Sequence, residues 1–293
     1  MTKIFTQILT RAVMTLLLMV SATTAWAQFV WLGSEGVEHV ETGLGNETYT
    51  EGYWFTYSDG ADGGNSEVVF DVAPDEYGNI NELVETCGGI SGTARLGHLQ
   101  GVPPKNPFAG VGFNVVGETS ETNKRPAAGD ASAWEGIAIA YTCDVDATLV
   151  LGLGDAVDAE IGYANPCVTL PKSAAGTIKQ FRWSDFKQPD WYKGTTRFSG
   201  EEAAKQLVCV KFNIQAAPGS YHFNIYGIGS YDAVLPPSPS KPYIPNAIVD
   251  LNLQSQTSNL KPDVWYTLTG IQLEGEPTAP GIYVKDGQKY IIR

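Results

Sequence analysis

Two short runs past the middle of the chain, LVCVKFNIQ at 207–215 and YHFNIYG at 221–227, carry side chains suited to hydroxyl-rich ligands. Alternate residues of a strand point to opposite faces. Val208, Val210, Phe212 and Ile214 therefore share one face of the first run, while Cys209, Lys211, Asn213 and Gln215 share the other. In the second run Phe223 and Ile225 point inward, and His222, Asn224 and Tyr226 point the opposite way. Amides donate and accept hydrogen bonds at once, as sugar hydroxyls do, and an aromatic ring can cover the apolar C–H face of a pyranose. A hairpin turn at Ala217-Pro218-Gly219-Ser220 would set the two polar rows side by side. The expected patch is then Lys211, Asn213, His222, Asn224 and Tyr226. The same alternation also describes a plain solvated face of an antiparallel sheet.

Aromatic residues elsewhere extend the candidate set. In FRWSDFKQPDWY, Trp183 and Phe186 are expected in the core at a strand exit, with Asp185 capping the turn. Trp191 and Tyr192 follow Pro189 and Asp190 in a turn-rich loop, where an exposed tryptophan marks a contact site at the rim of the patch. The alternative is that Trp191 folds back over the sandwich edge. GYWFTYSD places Tyr53, Phe55 and Tyr57 on one side of an earlier strand, making Tyr53 and Tyr57 the next ligand candidates. The turn after it supplies Asp59, Asp62 and Asn65, whose oxygens could hold a calcium ion. An ordinary Gly/Asp turn satisfies the same pattern, because the full EF-hand spacing is missing.

The elements that must position these residues read as strands. An opening strand is expected over 29–40, followed by strands at 53–58, 67–72, 109–116, 134–141 and 148–153, with a Pro-rich bend around Pro103, Pro104 and Pro107. Gly200 to Lys205 reads as one helical turn. Long helical patterns are absent while glycine, tyrosine and tryptophan are plentiful, so the chain is expected to be all-β.

Lys3 and Arg11 precede an apolar run from Val13 to Val20, and Ala25-Trp26-Ala27 supplies a small-x-small cleavage site, so residues 1–27 read as a secretory signal peptide. The apolar run is too short for a permanent anchor, and no later stretch has the roughly 18 apolar residues that a spanning helix needs. Export and an extracellular or cell-surface location, reached through the periplasm, are expected. Removal of residues 1–27 takes the formal net charge from −13 to −15. Nucleic acid and anionic membranes need a basic footprint and are poor partners for such a chain, whereas a neutral polysaccharide is compatible with it. What remains is long enough for one sandwich of about 200 residues and a small appendage. In an oxidising compartment the four cysteines, Cys87, Cys143, Cys167 and Cys209, favour disulfides, with three pairings open. Metal binding is the weaker reading of them, since no pair has C-x-x-C spacing and the three histidines are scattered.

The stretches GYWFTYSDGADGGNS, AWEGIAIAYTCD, LVLGLGD, FRWSDFKQPDWY, LVCVKFNIQ and YHFNIYGIGSYD resemble a galactose-binding-like, jelly-roll carbohydrate-binding module, nearest to the family 11 modules of fibre-degrading bacteria. The resemblance covers about Trp31 to Tyr231. It implies a jelly-roll β-sandwich with a concave sheet face that holds a β-glucan chain through tyrosines, amides and charged groups, and calcium as a structural ion.

The domain organisation expected is a sandwich at 28–234, a stiff Pro-rich linker at 235–245 and a C-terminal β segment at 246–293. In that last segment Asp286-Gly287 would turn the chain between strands at 281–285 and 288–293. Pro280-Gly281-Ile282-Tyr283, Gly287, Lys289 and Arg293 resemble the ending of type IX secretion sorting domains, although the segment is shorter than a full one. The resemblance implies a contact with secretion machinery; the other reading is a small β appendage without a sorting role.

The leading function is a secreted, non-catalytic protein that binds plant-type polysaccharide such as β-glucan or cellulose. A glycoside hydrolase on the same frame would need two carboxylates about 5 to 10 Å apart across a cleft. With 32 Asp and Glu residues such a pair is compatible with the composition, but the acidic cluster Asp155, Asp158 and Glu160 has the wrong spacing for one strand face. No G-x-S-x-G, H-E-x-x-H or P-loop motif is present. A structural or adhesion protein without sugar affinity has the same sequence features.

Overall fold

The computed structural model describes residues 28–98, 106–241, 264–267, 273, 275–278, 281–285 and 288–292. The expected signal peptide, the Pro103-Pro104 bend, the end of the Pro-rich linker and the Asp286-Gly287 turn lie outside the described residues. The chain divides into two compact units, Met1–Pro242 and Tyr243–Arg293. No helix among the described residues is long and apolar enough to cross a membrane.

The first unit is a jelly-roll β-sandwich of two antiparallel sheets. Its strands in chain order are β1 (Val30–Leu32), β2 (Trp54–Ser58), β3 (Glu67–Phe70), β4 (Ile90–Leu96), β5 (Phe108–Asn114), the small pair β6 (Glu118–Ser120) and β7 (Asn123–Pro126), β8 (Gly136–Cys143), β9 (Ala147–Gly152), β10 (Cys167–Leu170), β11 (Ser173–Arg182), β12 (Cys209–Gln215) and β13 (Gly219–Ser230). Three short helices, α1 (Asn81–Cys87), α2 (Asp155–Glu160) and α3 (Gly200–Ala204), lie between them. The first sheet runs β11-β8-β13-β4-β3, with β1 also along β13; the second runs β10-β9-β12-β5-β2. The expected helical turn is α3. Its capping box has Ser199 Oγ accepting from Glu202 N at 3.2 Å and Glu202 Oε2 accepting from Ser199 N at 2.8 Å.

Inward rows from the two sheets meet in one core. Phe212 of β12 and Phe223 of β13 lie 5.6 Å apart between ring centroids, and Tyr141 of β8 lies 5.9 Å from Phe212. This contact corrects the expected hairpin. β12 pairs with β5 and β9, whereas β13 pairs with β4, β8 and β1, so the turn after Gln215 carries the chain from one sheet to the other. Alternation shows which residues face the core but not which sheet a strand joins, because two apolar rows are buried equally well side by side or face to face.

β8 is buried along its whole length, as a strand covered on both faces must be. Ile137, Ile139 and Tyr141 enter the main core, while Ala138 and Ala140 form a second, outer cluster with Tyr226 and Leu235. Leu235 belongs to the expected linker, which here lies as a strap on the outer face of the first sheet. Ser240 Oγ lies where a Cβ on Gly88 would sit, and Lys241 Nζ donates to Glu85 O. The described part of the Pro-rich segment is therefore packed against the sandwich. Small alanines on β8 leave room for Leu235, and burial of its side chain stabilises the strap.

All four cysteines are free thiols in this structure, against the expected disulfides. Cys143 points into the core from β8, and Cys87 ends α1. Cys167 and Cys209 share the outer face of the second sheet but stand two strands apart, a separation of about 10 Å by strand spacing and beyond disulfide reach.

The second unit contains the antiparallel sheet β14 (Trp265–Thr267), β15 (Gly281–Lys285) and β16 (Gln288–Ile292). Trp265 and Tyr290 lie 5.0 Å apart within it.

Leu235 is 7% exposed and Val234 beside it is 88% exposed. Leu235→Ala should cost about 2 to 4 kcal/mol of sandwich stability in urea unfolding, and Val234→Ala less than about 0.5 kcal/mol. Equal effects would show that the strap is not packed.

Candidate functional site

The outer face of the second sheet brings together four of the nine ligand residues nominated from the sequence, Tyr53, Tyr57, Lys211 and Asn213. Register places Tyr57, Gly110, Asn213, Thr148 and Thr169 in one row across the sheet. Phe55, Gly112, Lys211, Val150 and Cys167 form the next row. Tyr53 precedes β2 in the same alternation and is 47% exposed, with its ring 4.8 Å from that of His39.

The two glycines decide how the aromatic rings sit. A Cβ at Gly110 would come within 2.7 Å of the Tyr57 hydroxyl oxygen, and one at Gly112 within 2.9 Å of the Phe55 ring. The rings therefore lie down over β5 instead of standing away from it, an approach that any larger residue would block. Tyr57 reaches across Gly110 to β12, where its hydroxyl donates to Asn213 Oδ1 at 3.1 Å. Asn213 Nδ2 keeps its donors for other partners. Burial, with the Cys209 thiol as a lesser cause, holds the Tyr57 phenol well above its usual pKa, so it remains a donor at neutral pH. Phe108 completes the aromatic strip, 6.4 Å from Tyr57 between centroids, as Phe55 also is.

Lys211 supplies the positive charge. Its Nζ lies 5.6 Å from the Tyr57 ring centroid and 3.6 Å from Asp158 Oδ2. Asp158 is buried on α2, where its Oδ1 accepts from Leu153 N at 2.9 Å and from Asn165 Nδ2 at 2.6 Å. The ammonium is thus fixed beside the aromatic strip, and one ion pair uses only part of its three-donor capacity. Sequence reading missed Phe108, Asp158 and the glycine pair. The G-V-G alternation at 110–112 inside an otherwise apolar strand was the available signal.

The other nominated residues lie elsewhere. His222, Asn224 and Tyr226 are on the first sheet, whose outer face is the opposite side of the sandwich. Tyr226 is 1% exposed beneath the strap, with its hydroxyl donating to Thr177 O at 3.4 Å, so it is not the accessible stacking ring expected. Asn224 is 2% exposed, and its Nδ2 donates to Cys87 O at 3.3 Å. His222 Nε2 lies 2.9 Å from Asp71 Oδ2 and 3.3 Å from Ser91 Oγ, and Ser91 Oγ donates to Asp71 Oδ2 at 2.5 Å. This is not the arrangement of a hydrolytic triad, in which the nucleophile hydroxyl and the carboxylate use different imidazole nitrogens. Trp191 is 63% exposed; Tyr192 is half-buried against the core, with the Arg197 guanidinium 4.8 Å from its ring centroid.

In the turn of the calcium expectation, Asp59 and Asn65 already accept hydrogen bonds. Asp59 is fully buried; its Oδ1 accepts from Ser66 N at 3.0 Å, and its Oδ2 from Ser66 Oγ at 2.7 Å and Phe108 N at 3.2 Å. Asn65 Oδ1 accepts from His98 N at 3.1 Å, and Asp62 is exposed. No group of three or more His, Cys, Asp or Glu suited to a metal occurs among the described residues.

No protein-family model matches the chain, and no curated protein matches it. Among solved structures, the family 11 carbohydrate-binding module of the cellulosomal cellulase Lic26A-Cel5E of Clostridium thermocellum is similar over 73% of this chain and 98% of its own, at 12% identity and a TM-score of 0.38. A family 11 module from the same organism, in complex with a β-1,3-1,4-mixed-linked tetrasaccharide, is similar over 70% of this chain and 96% of its own, at 12% identity and a TM-score of 0.36. At these values the likeness carries no residue-level correspondence.

Burial pushes the thiols of Cys143 and Cys209 up to about 11. An unfolded chain would release these protons from about pH 8.5 upward, while the folded chain retains them. The contribution of these thiols to stability should therefore be constant below about pH 8 and fall as the pH rises toward about 11, with Cys209→Ser reducing the fall. A melting temperature flat across that window would contradict buried, free thiols.

Proposed function

We propose that this protein binds a neutral, hydroxyl-rich polysaccharide of the β-glucan type on the outer face of the second sheet, without catalysing its cleavage. The observation that carries the reading is the pair of rings, Phe55 and Tyr57, laid over Gly110 and Gly112 beside the Asn213 amide and the Lys211 ammonium. Flat aromatic surface suits the C–H face of a pyranose, and fixed amide and ammonium donors suit its hydroxyl oxygens. Tyr53, just before β2, and Phe55 and Tyr57 on it follow one another at about 7 Å, so one edge of the face is a broad apolar platform on which a pyranose unit can lie.

The chemistry of the face supports binding over hydrolysis. No strand residue pointing out from this sheet carries a carboxylate among the described residues. Asp158 flanks the face but is buried and engaged by Lys211, Leu153 and Asn165. Glycoside hydrolysis needs an acid and a second carboxylate on either side of the scissile bond.

Affinity electrophoresis in gels of soluble mixed-linkage β-glucan tests the reading. Tyr53→Ala and Asn213→Ala should each weaken retardation about tenfold, the equivalent of about 1.4 kcal/mol. Tyr77→Ala, which removes an 81% exposed tyrosine from a turn before α1, should leave it unchanged. Unchanged retardation in both face variants would reject this face. Sustained release of reducing sugar, abolished by one carboxylate substitution, would replace the binding reading with an enzymatic one.

A further inference from the structure

A groove opens at the far edge of the same sheet, beyond the aromatic strip. Its walls include Thr169, Phe181, Asp185, Lys187, Gln188 and Asp190. Thr169 points outward from β10 and ends the row that begins at Tyr57, so the groove is continuous with the face already described. Four strand spacings separate β2 from β10, a distance of about 19 Å. The backbone of Lys187 extends the sheet by bridging to Cys167, with Cys167 N donating to Lys187 O at 3.0 Å and Lys187 N to Cys167 O at 3.2 Å.

The loop that borders this groove is held from several sides. Tyr192 N donates to Pro189 O at 3.0 Å, Lys193 Nζ to Asp190 O at 2.6 Å and Arg197 Nη2 to Tyr192 O at 3.1 Å. Thr196 Oγ1 donates to Glu160 Oε1 at 2.9 Å, which ties the loop to α2, the helix that also holds Lys211 through Asp158. Trp191, next in sequence to the groove wall, stands edge-on to Tyr192 at 6.4 Å and 86°. Its indole is 63% exposed on a turn closed by the Tyr192 N to Pro189 O bond, so its face is free to stack on a ligand. Gln188 Oε1 accepts from Phe198 N at 3.2 Å, while its buried Nε2 has no acceptor among the described residues.

We infer that this groove, with Trp191 at its lip, is a second sugar subsite that grips a distant unit of the chain bound on the aromatic strip. The inference rests on the binding function proposed above and adds a direction, in which the polysaccharide runs across the strands from β2 to β10. The subsite takes a neutral hexopyranose unit. Trp191 supplies a stacking surface, the half-buried Phe181 an apolar wall, and Asp185, Asp190, Lys187 and Thr169 groups that bond to hydroxyls. Two carboxylates against one ammonium disfavour an anionic sugar. Linking two weak subsites through one ligand raises affinity only for a ligand long enough to reach both.

Calorimetric titration of the purified full chain with a mixed-linkage β-glucan trisaccharide and with the soluble polymer tests this. Trp191→Ala should weaken polymer binding about tenfold and leave trisaccharide binding unchanged, and Trp191→Tyr should restore most of the loss. An unchanged melting temperature is expected, because the side chain removed is exposed. Unchanged polymer affinity, or equal loss for both ligands, would overturn a remote subsite while leaving the binding function standing. Failure of the unmodified chain to bind either ligand would instead sink the proposed function.

Discussion

The contact between Phe212 and Phe223 across the core is the constraint on which the arrangement depends. Those rings belong to consecutive strands, yet they meet between sheets and not along one. Once the two apolar rows are buried face to face, the polar rows behind them must point out of opposite sides of the sandwich. Lys211 and Asn213 thereby join the face of β2 and β5, and His222 and Asn224 join the face crossed by the strap. The two faces acquire different roles from this one choice. One is covered by the strap that ends the first unit, and the other carries the aromatic strip.

What was legible in the sequence follows from the two-residue period of strands. The all-β class, the inward row of β12, and the common side of Tyr53, Phe55 and Tyr57 were all read from alternation. Trp183 and Phe186 are 5% and 1% exposed, as a strand exit closed by a capped turn demands, and Asp185 Oδ2 accepts from Arg182 N at 2.8 Å. These are local properties, set by the residues within one element. Strand partnership is not local, which is why the patch split in two.

Tyr226 shows the second kind of information that alternation lacks. It points outward from β13, yet a segment read as a stiff spacer covers it, because Ala138, Ala140 and Tyr226 offer Leu235 an apolar shelf. A bulge between Ile225 and Gly227 marks the same place. The aromatic strip has the converse explanation. Its rings can approach the sheet because β5 has glycine where other strands carry side chains, and it is held to Lys211 through a buried aspartate from a helix distant in sequence. The free thiols on that face are likewise a consequence of strand placement, since Cys167 and Cys209 share it but not neighbouring strands.

The central claim is that one particular face of the sandwich receives the ligand. Backbone amide chemical shifts of the isotopically labelled chain, followed during titration with a mixed-linkage β-glucan oligosaccharide, report on every strand at once. The glycine amides at 110 and 112 and those of residues 53–57, 148 and 211–213 should shift together, while those of residues 71, 91 and 222–226 stay in place. Shifts concentrated on the second set, with the glycine pair unmoved, would place the ligand on the opposite sheet and contradict the account.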